Sequence, residues 1–144
     1  MTGYLLDTNV ISELRKSAER ADPAVRTWAT TINSVDVFLS AVTISELSQW
    51  AASTKRRDAV QGTLIETWLH DCVLAQYAER ILAVDTEVAL IAGRLHVPDP
   101  RDYRDAFIAA SALRHHLTVV TRNVHDFAPM DVPVVNPFVD ESAG

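Results

Sequence analysis

Four carboxylates in this 144-residue chain stand where chemistry could be done. Asp7 closes the apolar run YLLD, and the chain turns toward a helix just after it. Glu46 lies in AVTISEL, one turn into the helical pattern that follows a second apolar run. Asp105 opens the helical segment DAFIAASALRHH, and Asp126 follows the apolar run LTVVT in RNVHDF. In open α/β sheets, ligands bind beyond the carboxyl ends of the strands, where helix N-termini gather. Acids at strand ends and helix starts therefore point to one edge of a sheet. Carboxylates brought together repel and take up protons unless cations neutralise them. Hard oxygen donors, without histidine or thiolate at ligand spacing, favour Mg²⁺ or Mn²⁺ over zinc. Such a cation lowers the pKa of a bound water and clamps a phosphate oxygen during in-line displacement. That is phosphodiester-cleaving chemistry, and it needs no serine or cysteine nucleophile, for which the chain has no convincing motif.

Each acid also has an ordinary structural use. Asp7 suits a helix cap, because aspartate accepts bonds from free backbone amides. Thr43-x-x-Glu46 has the form of a capping box, and Asp102-x-x-Asp105 is a looser version of it. Asp126 suits a turn. Their joint placement, rather than any one of them, carries the chemical reading.

The elements that must position these acids follow from the hydrophobic pattern. Short apolar runs predict strands at 3–7, 37–42, 81–84, 117–121 and 132–135. Longer helical patterns fall at 10–16, 23–31, 44–53, 57–79, 87–96 and 103–115. Within TLIETWLHDCVLAQY, Leu64, Ile65, Trp68, Leu69, Cys72 and Val73 have the spacing of one buried helical face. Strands separated by helices predict an α/β fold, a mostly parallel sheet of about five strands with helices on both faces. The length fits one domain, expected over 1–138, with a polar tail at 139–144.

Composition bounds the setting. The hydrophobic fraction of 48% fits a compact core, and no run approaches the roughly 20 apolar residues of a membrane span. No basic region precedes a long apolar core at the N-terminus, so no secretory signal is expected. Cys72 is the single cysteine, which excludes an internal disulfide and a cysteine-rich zinc site. A reducing cytoplasm is the expected location. The net charge of −6 speaks mildly against nonspecific nucleic-acid binding, but carboxylates around a cation would not count toward the surface. Basic residues cluster at Arg15-Lys16, Lys55-Arg56-Arg57, Arg101 with Arg104, and Arg114 beside His115 and His116. Arg101, Arg104 and Arg122 flank the acidic edge and are the candidate contacts to a phosphodiester backbone, with a salt bridge to a neighbouring acid as the alternative. His115, His116 and His125, and the tryptophans Trp28, Trp50 and Trp68, read as surface and packing residues.

The segments LLDTNVISEL, SAVTISEL, DAFIAASAL, VVTRNVHDF and VPVVNPF, in that order, resemble the PIN-domain ribonucleases of bacterial type II toxin–antitoxin systems. The similarity is to the VapC toxins, in particular their FitB-like branch, and it runs from Tyr4 to Phe138. It implies a PIN-like α/β/α fold and a Mg²⁺- or Mn²⁺-dependent endoribonuclease held inactive by a cognate VapB- or FitA-like antitoxin. Position by position, it makes Asp7 and Asp105 the principal metal ligands, with Glu46 completing the shell or orienting the nucleophilic water. Many relatives carry a fourth acid where this chain has Asn123, and Asp126 is the nearby substitute, for a second metal, for water or for the loop alone. Thr121 is expected to hydrogen-bond a carboxylate or a metal-bound water, and Thr8 and Asn9 to fix mainly the turn after Asp7. The resemblance further implies a homodimer, and a toxin–antitoxin complex that binds operator DNA through the antitoxin, away from any membrane.

Two other classes stay open at this point. A phosphoryl-transfer domain also puts aspartate after a first strand, but the phosphatase form wants an acid at Asn9, and neither Lys16 nor Lys55 follows a strand. A catalytically degenerate PIN domain would bind RNA or antitoxin without cutting.

Overall fold

Pairs of adjacent apolar residues build the centre of the molecule. The computed structural model describes residues 3–139. Strand β1 (Gly3–Leu6) runs beside β2 (Val37–Ser40) and β4 (Leu117–Val120); β3 (Ile81–Leu82) and β5 (Val134–Val135) form the edges. The order is β3-β2-β1-β4-β5, and every pairing is parallel. Side chains alternate across a strand, so the neighbours Leu5 and Leu6 enter opposite faces, as do Val119 and Val120. Both faces are buried, which is why these strands read as continuous apolar runs.

Two helical layers cover the sheet. On the Leu6 side pack α1 (Thr8–Arg15), α2 (Pro23–Thr30), α3 (Ala41–Arg57) and α4 (Ala59–Trp68), through Val10, Val25, Leu47 and Trp68 among others. On the Leu5 side pack α6 (Thr86–Leu95) and α7 (Tyr103–His115). Helix α7 buries Ala106, Ala109, Ala110 and Ala112 completely, so its backbone lies close against the strands and holds its N-terminus firmly. The expected α/β/α architecture is the observed one.

Several boundaries differ for identifiable reasons. Strand β2 stops at Ser40, whose hydroxyl accepts from the Val42 amide and starts α3 there. The capping box expected at Thr43 and Glu46 is therefore not the cap; Thr43 lies inside the helix, fully buried. The gap expected before residue 57 is helical, and the break falls at Asp58. Asp58 takes an extended conformation and accepts from the Gln61 amide at 3.1 Å, ending α3 and capping α4. Helix α4 runs on through a π-helical stretch, Leu69–Val73, into the short α5 (Leu74–Gln76). The wider π turn changes the phase of the pattern, and the buried stripe is Ile65, Leu69 and Val73, leaving Leu64 and Cys72 exposed. A short helix unseen in the pattern, α8 (Val124–Phe127), carries Asp126. Beyond Val139 the expected polar tail lies outside the described residues.

Candidate active site

Asp7 follows β1 directly, and its backbone amide bonds to the Val120 carbonyl of β4 at 2.9 Å. It therefore stands at the carboxyl end of the two central strands. Its Oδ1 accepts from the Thr8 amide at 2.8 Å, capping α1. Its Oδ2 accepts from the Thr121 hydroxyl at 2.8 Å and from Asn9 Nδ2 at 3.2 Å. Asn9 also donates to Thr121 Oγ1 at 3.3 Å and accepts from the Arg122 amide at 3.0 Å, tying the start of α1 to the end of β4. Asp7 therefore caps α1 and at the same time presents its carboxylate at the edge of the sheet. The carboxylate is only 6% exposed. Burial pushes its pKa up, the three hydrogen bonds pull back, and the nearby Asp126 charge adds to the rise; the net direction is upward.

Glu46, on α3, comes to the same place. Thr8 Oγ1 donates to Glu46 Oε1 at 2.8 Å, and Arg104 Nη1 lies 3.6 Å from Glu46 Oε2. Arg104 also pairs with Asp102 at 3.2 Å. Asp102 caps α7, accepting from the amides of Arg104 and Asp105. Asp105, in the first turn of α7, accepts no side-chain hydrogen bond among the described residues. Its pKa rises to about 6, first from burial and then from the charges of Asp7, Asp102, Asp126 and Glu46.

Together these residues line an open cavity of about 540 Å³: Asp7, Thr8, Asn9, Glu46, Asp102, Arg104, Asp105, Asn123 and Asp126. Five carboxylates face one arginine there. Thr121 is fully buried behind Asp7 and reaches the site through it.

The expected acids Asp7, Glu46, Asp105 and Asp126 all reach this cavity, and so does Arg104, already paired with two acids. Arg122 turns away, its guanidinium 3.7 Å from the Phe138 ring centroid. Arg101 does not line the cavity; its amide donates to His96 Nδ1 at 2.9 Å. Thr8 and Asn9 do more than shape a turn, since they hold Glu46 and Asp7. Asp102 and Asn123 line the cavity too, the first read in the sequence only as a cap and the second only as a missing acid. Among the described residues no lysine lines it, which speaks against the phosphoryl-transfer reading that needs one.

The donor set suits a hard divalent cation. Every candidate ligand is a carboxylate oxygen, and a carboxylate has about four acceptor sites, of which Asp7 has three filled, leaving room on Oδ1. Among the described residues no group of three or more acidic, histidine or cysteine side chains is already placed to hold a metal ion. Mg²⁺ does not require such a group, because it keeps several waters and uses one or two carboxylates with substrate phosphate.

Comparison with known proteins decides the family. The model of the PIN domain matches residues 4–131.

This chain belongs to the PIN-domain family.

The PIN domain described here is 34% identical to Toxin FitB of Neisseria gonorrhoeae, over 94% of this chain and 99% of that protein. It is 32% identical to VapC ribonuclease Y4jK of Sinorhizobium fredii, over 93% of this chain and 96% of that protein. Its fold superimposes on a chain in the structure of FitAB bound to an IR36 DNA fragment with a TM-score of 0.81, at 30% identity, covering 96% of this chain and 97% of that one. Among the described residues, no helix is long and apolar enough to cross a membrane.

Proposed function

We propose that this PIN domain is the toxin of a type II toxin–antitoxin system and an endoribonuclease that uses Mg²⁺ or Mn²⁺. The observation that carries the reading is the convergence of Asp7, Glu46, Asp105 and Asp126 on one cavity at the carboxyl edge of the sheet. The toxin and ribonuclease names of its relatives, and the FitAB–DNA neighbour, support the same reading. The partners are then RNA as substrate, a cognate VapB- or FitA-like antitoxin as inhibitor, and operator DNA reached through that antitoxin. We assign the domain to 1–138 and the tail to 139–144, a homodimer as the assembly, and the cytoplasm as the location.

In this reading Asp7 and Asp105 hold the cation, and Glu46 completes its shell or orients the attacking water. A divalent cation bound there supplies a lowered water pKa and charge neutralisation at the phosphate. Thr121, Thr8 and Asn9 hold Asp7 in one orientation, and the Thr8 hydroxyl aims Glu46 into the same cavity. Arg104 holds Glu46 and Asp102, and its charge is available to a phosphate oxygen at the rim. Asp126 adds negative charge that raises the pKa of Asp7 and Asp105, a charge that a divalent cation bound there would neutralise.

The test uses antitoxin-free wild type and Asp7→Asn with total RNA and Mg²⁺ or Mn²⁺, with and without chelator. Discrete fragments from wild type alone, abolished by chelator, are the expected result. Equal cutting by both proteins would overturn the assignment of Asp7, and no cutting by folded wild type would favour a degenerate, binding-only PIN domain.

A further inference from the structure

A second groove adjoins the acidic cavity and shares Asn9 with it. Its volume is about 580 Å³, and its walls come from α1, residues 16–20, α3 and α4. Its charge is the reverse of its neighbour's. Arg15, Lys16 and Arg20 line it against a single acid, Glu13. Glu13 is already satisfied, accepting from Lys16 Nζ at 3.0 Å and from the Asp22 amide at 2.9 Å. Neither Arg15 nor Arg20 pairs with a carboxylate among the described residues. A basic groove of this kind stands out on a chain whose net charge is −6.

Aromatic surface interleaves with the charge. The rings of Trp50 and Trp68 meet edge to face, 6.5 Å apart at 79°. The Arg15 guanidinium lies 5.7 and 5.8 Å from their centroids, fixing a positive charge against the rings. Trp50 is 36% exposed and Leu64, beside it in the groove, is 50% exposed. Trp28 differs, packing edge-on against Tyr4 away from this groove.

We propose that this groove binds the single-stranded RNA segment next to the scissile phosphate, with an unstacked base against Trp50, Trp68 and Leu64 and phosphates on Arg15, Lys16 and Arg20. The proposal rests on the ribonuclease reading and names where that substrate is held. Much of the affinity for a phosphodiester chain comes from cationic surface, and this groove supplies it beside the acidic cavity. Phosphate contacts set the position of the strand. Stacking on tryptophan accepts any base, because every base has a π-face. Charge complementarity favours this polyanion over a second copy of the acidic chain.

The probe is an eight-nucleotide 2′-O-methyl oligouridylate, which resists cleavage, titrated into the full chain while tryptophan fluorescence is read. Quenching is expected in wild type and in Trp28→Phe. Trp50→Ala weakens binding about 5- to 100-fold, while Trp50→Phe retains most of the affinity and controls for folding. Arg20→Ser lowers the slope of log affinity against log salt by about 0.7. Unchanged affinity and salt slope in the folded variants would overturn the proposal. So would variants that keep oligonucleotide affinity but lose inhibition by the antitoxin, which would assign the groove to a protein partner. Failure of the groove alone leaves chelator-sensitive cleavage intact. Failure of the ribonuclease reading alone abolishes cleavage while quenching through Trp50 persists and the groove remains an RNA site.

Discussion

Asp7 caps a helix and presents the same carboxylate to the acidic cavity. Three hydrogen bonds hold a carboxylate that burial would otherwise protonate, and the Thr121 bond does the most to keep it charged. Thr121→Val keeps the shape and removes that donor, so the Asp7 pKa rises further and the cation competes less well with a proton. Metal affinity in Thr121→Val is expected to fall about 10- to 100-fold, as for other residues that orient a ligand, with Thr121→Ser restoring most of it. Isothermal titration with Mn²⁺ reads this directly, and an unchanged affinity would remove Thr121 from the site. The gathering of the acids was legible in the sequence because this architecture brings strand ends and helix starts to one edge. The residues that aim them were harder to read. Thr8 and Glu46 are 38 positions apart, and no local pattern reports the bond between them. The direction of Arg122 was not legible either, because flanking an acid in sequence does not set where a long side chain points; its guanidinium lies over Phe138.

At the scale of elements, hydrophobic periodicity located all five strands and the main helices, since buried parallel strands and amphipathic helices leave strong signals. It failed where the signal is a cap or a change of helix type. Asp58 breaks the α3–α4 hairpin without glycine or proline to announce it, and the π stretch Leu69–Val73 shifts the buried face. The same hairpin depends on Gly62. A Cβ there would press into the Lys55 backbone far inside contact distance, and backbone cannot swing aside as a side-chain tip can. Gly62→Ala would improve the intrinsic helix propensity of α4, yet the packing term wins. A net loss of about 1–3 kcal/mol is expected from overpacking of this kind, read as a lower urea midpoint with an unchanged slope. A neutral or stabilised Gly62→Ala protein would show that the hairpin relaxes without cost.

Over the whole molecule, charge is sorted rather than spread: five acids gather in one cavity while three basic residues line the groove beside it. That sorting carries a folding cost in the metal-free protein. Asp105 has a folded pKa of about 6 against an ordinary value of 3.8, so between these pH values the folded state binds the extra proton. Its contribution to stability is fully present below pH 3.8 and is lost as pH rises through about 6. Asp7, raised in the same direction, adds to the loss. Glu13 and Asp102 have lowered values and act oppositely, losing their contribution as pH falls below the ordinary carboxylate range. Comparing wild type with Asp105→Asn isolates the one group. At pH 8 without metal, Asp105→Asn is expected to be more stable by about 1–2 kcal/mol, the shift discounted for partial solvent screening. Near pH 4 the difference should shrink toward zero. Mn²⁺ at about 100 times its dissociation constant should then stabilise wild type by about 2.7 kcal/mol at pH 8 and the variant much less. Urea unfolding at the two pH values, with and without Mn²⁺, measures all of this. If Asp105→Asn were no more stable than wild type at pH 8 while Mn²⁺ stabilised both equally, Asp105 would be neither a source of strain nor a ligand, and the cation would have to be held elsewhere in the acidic cavity.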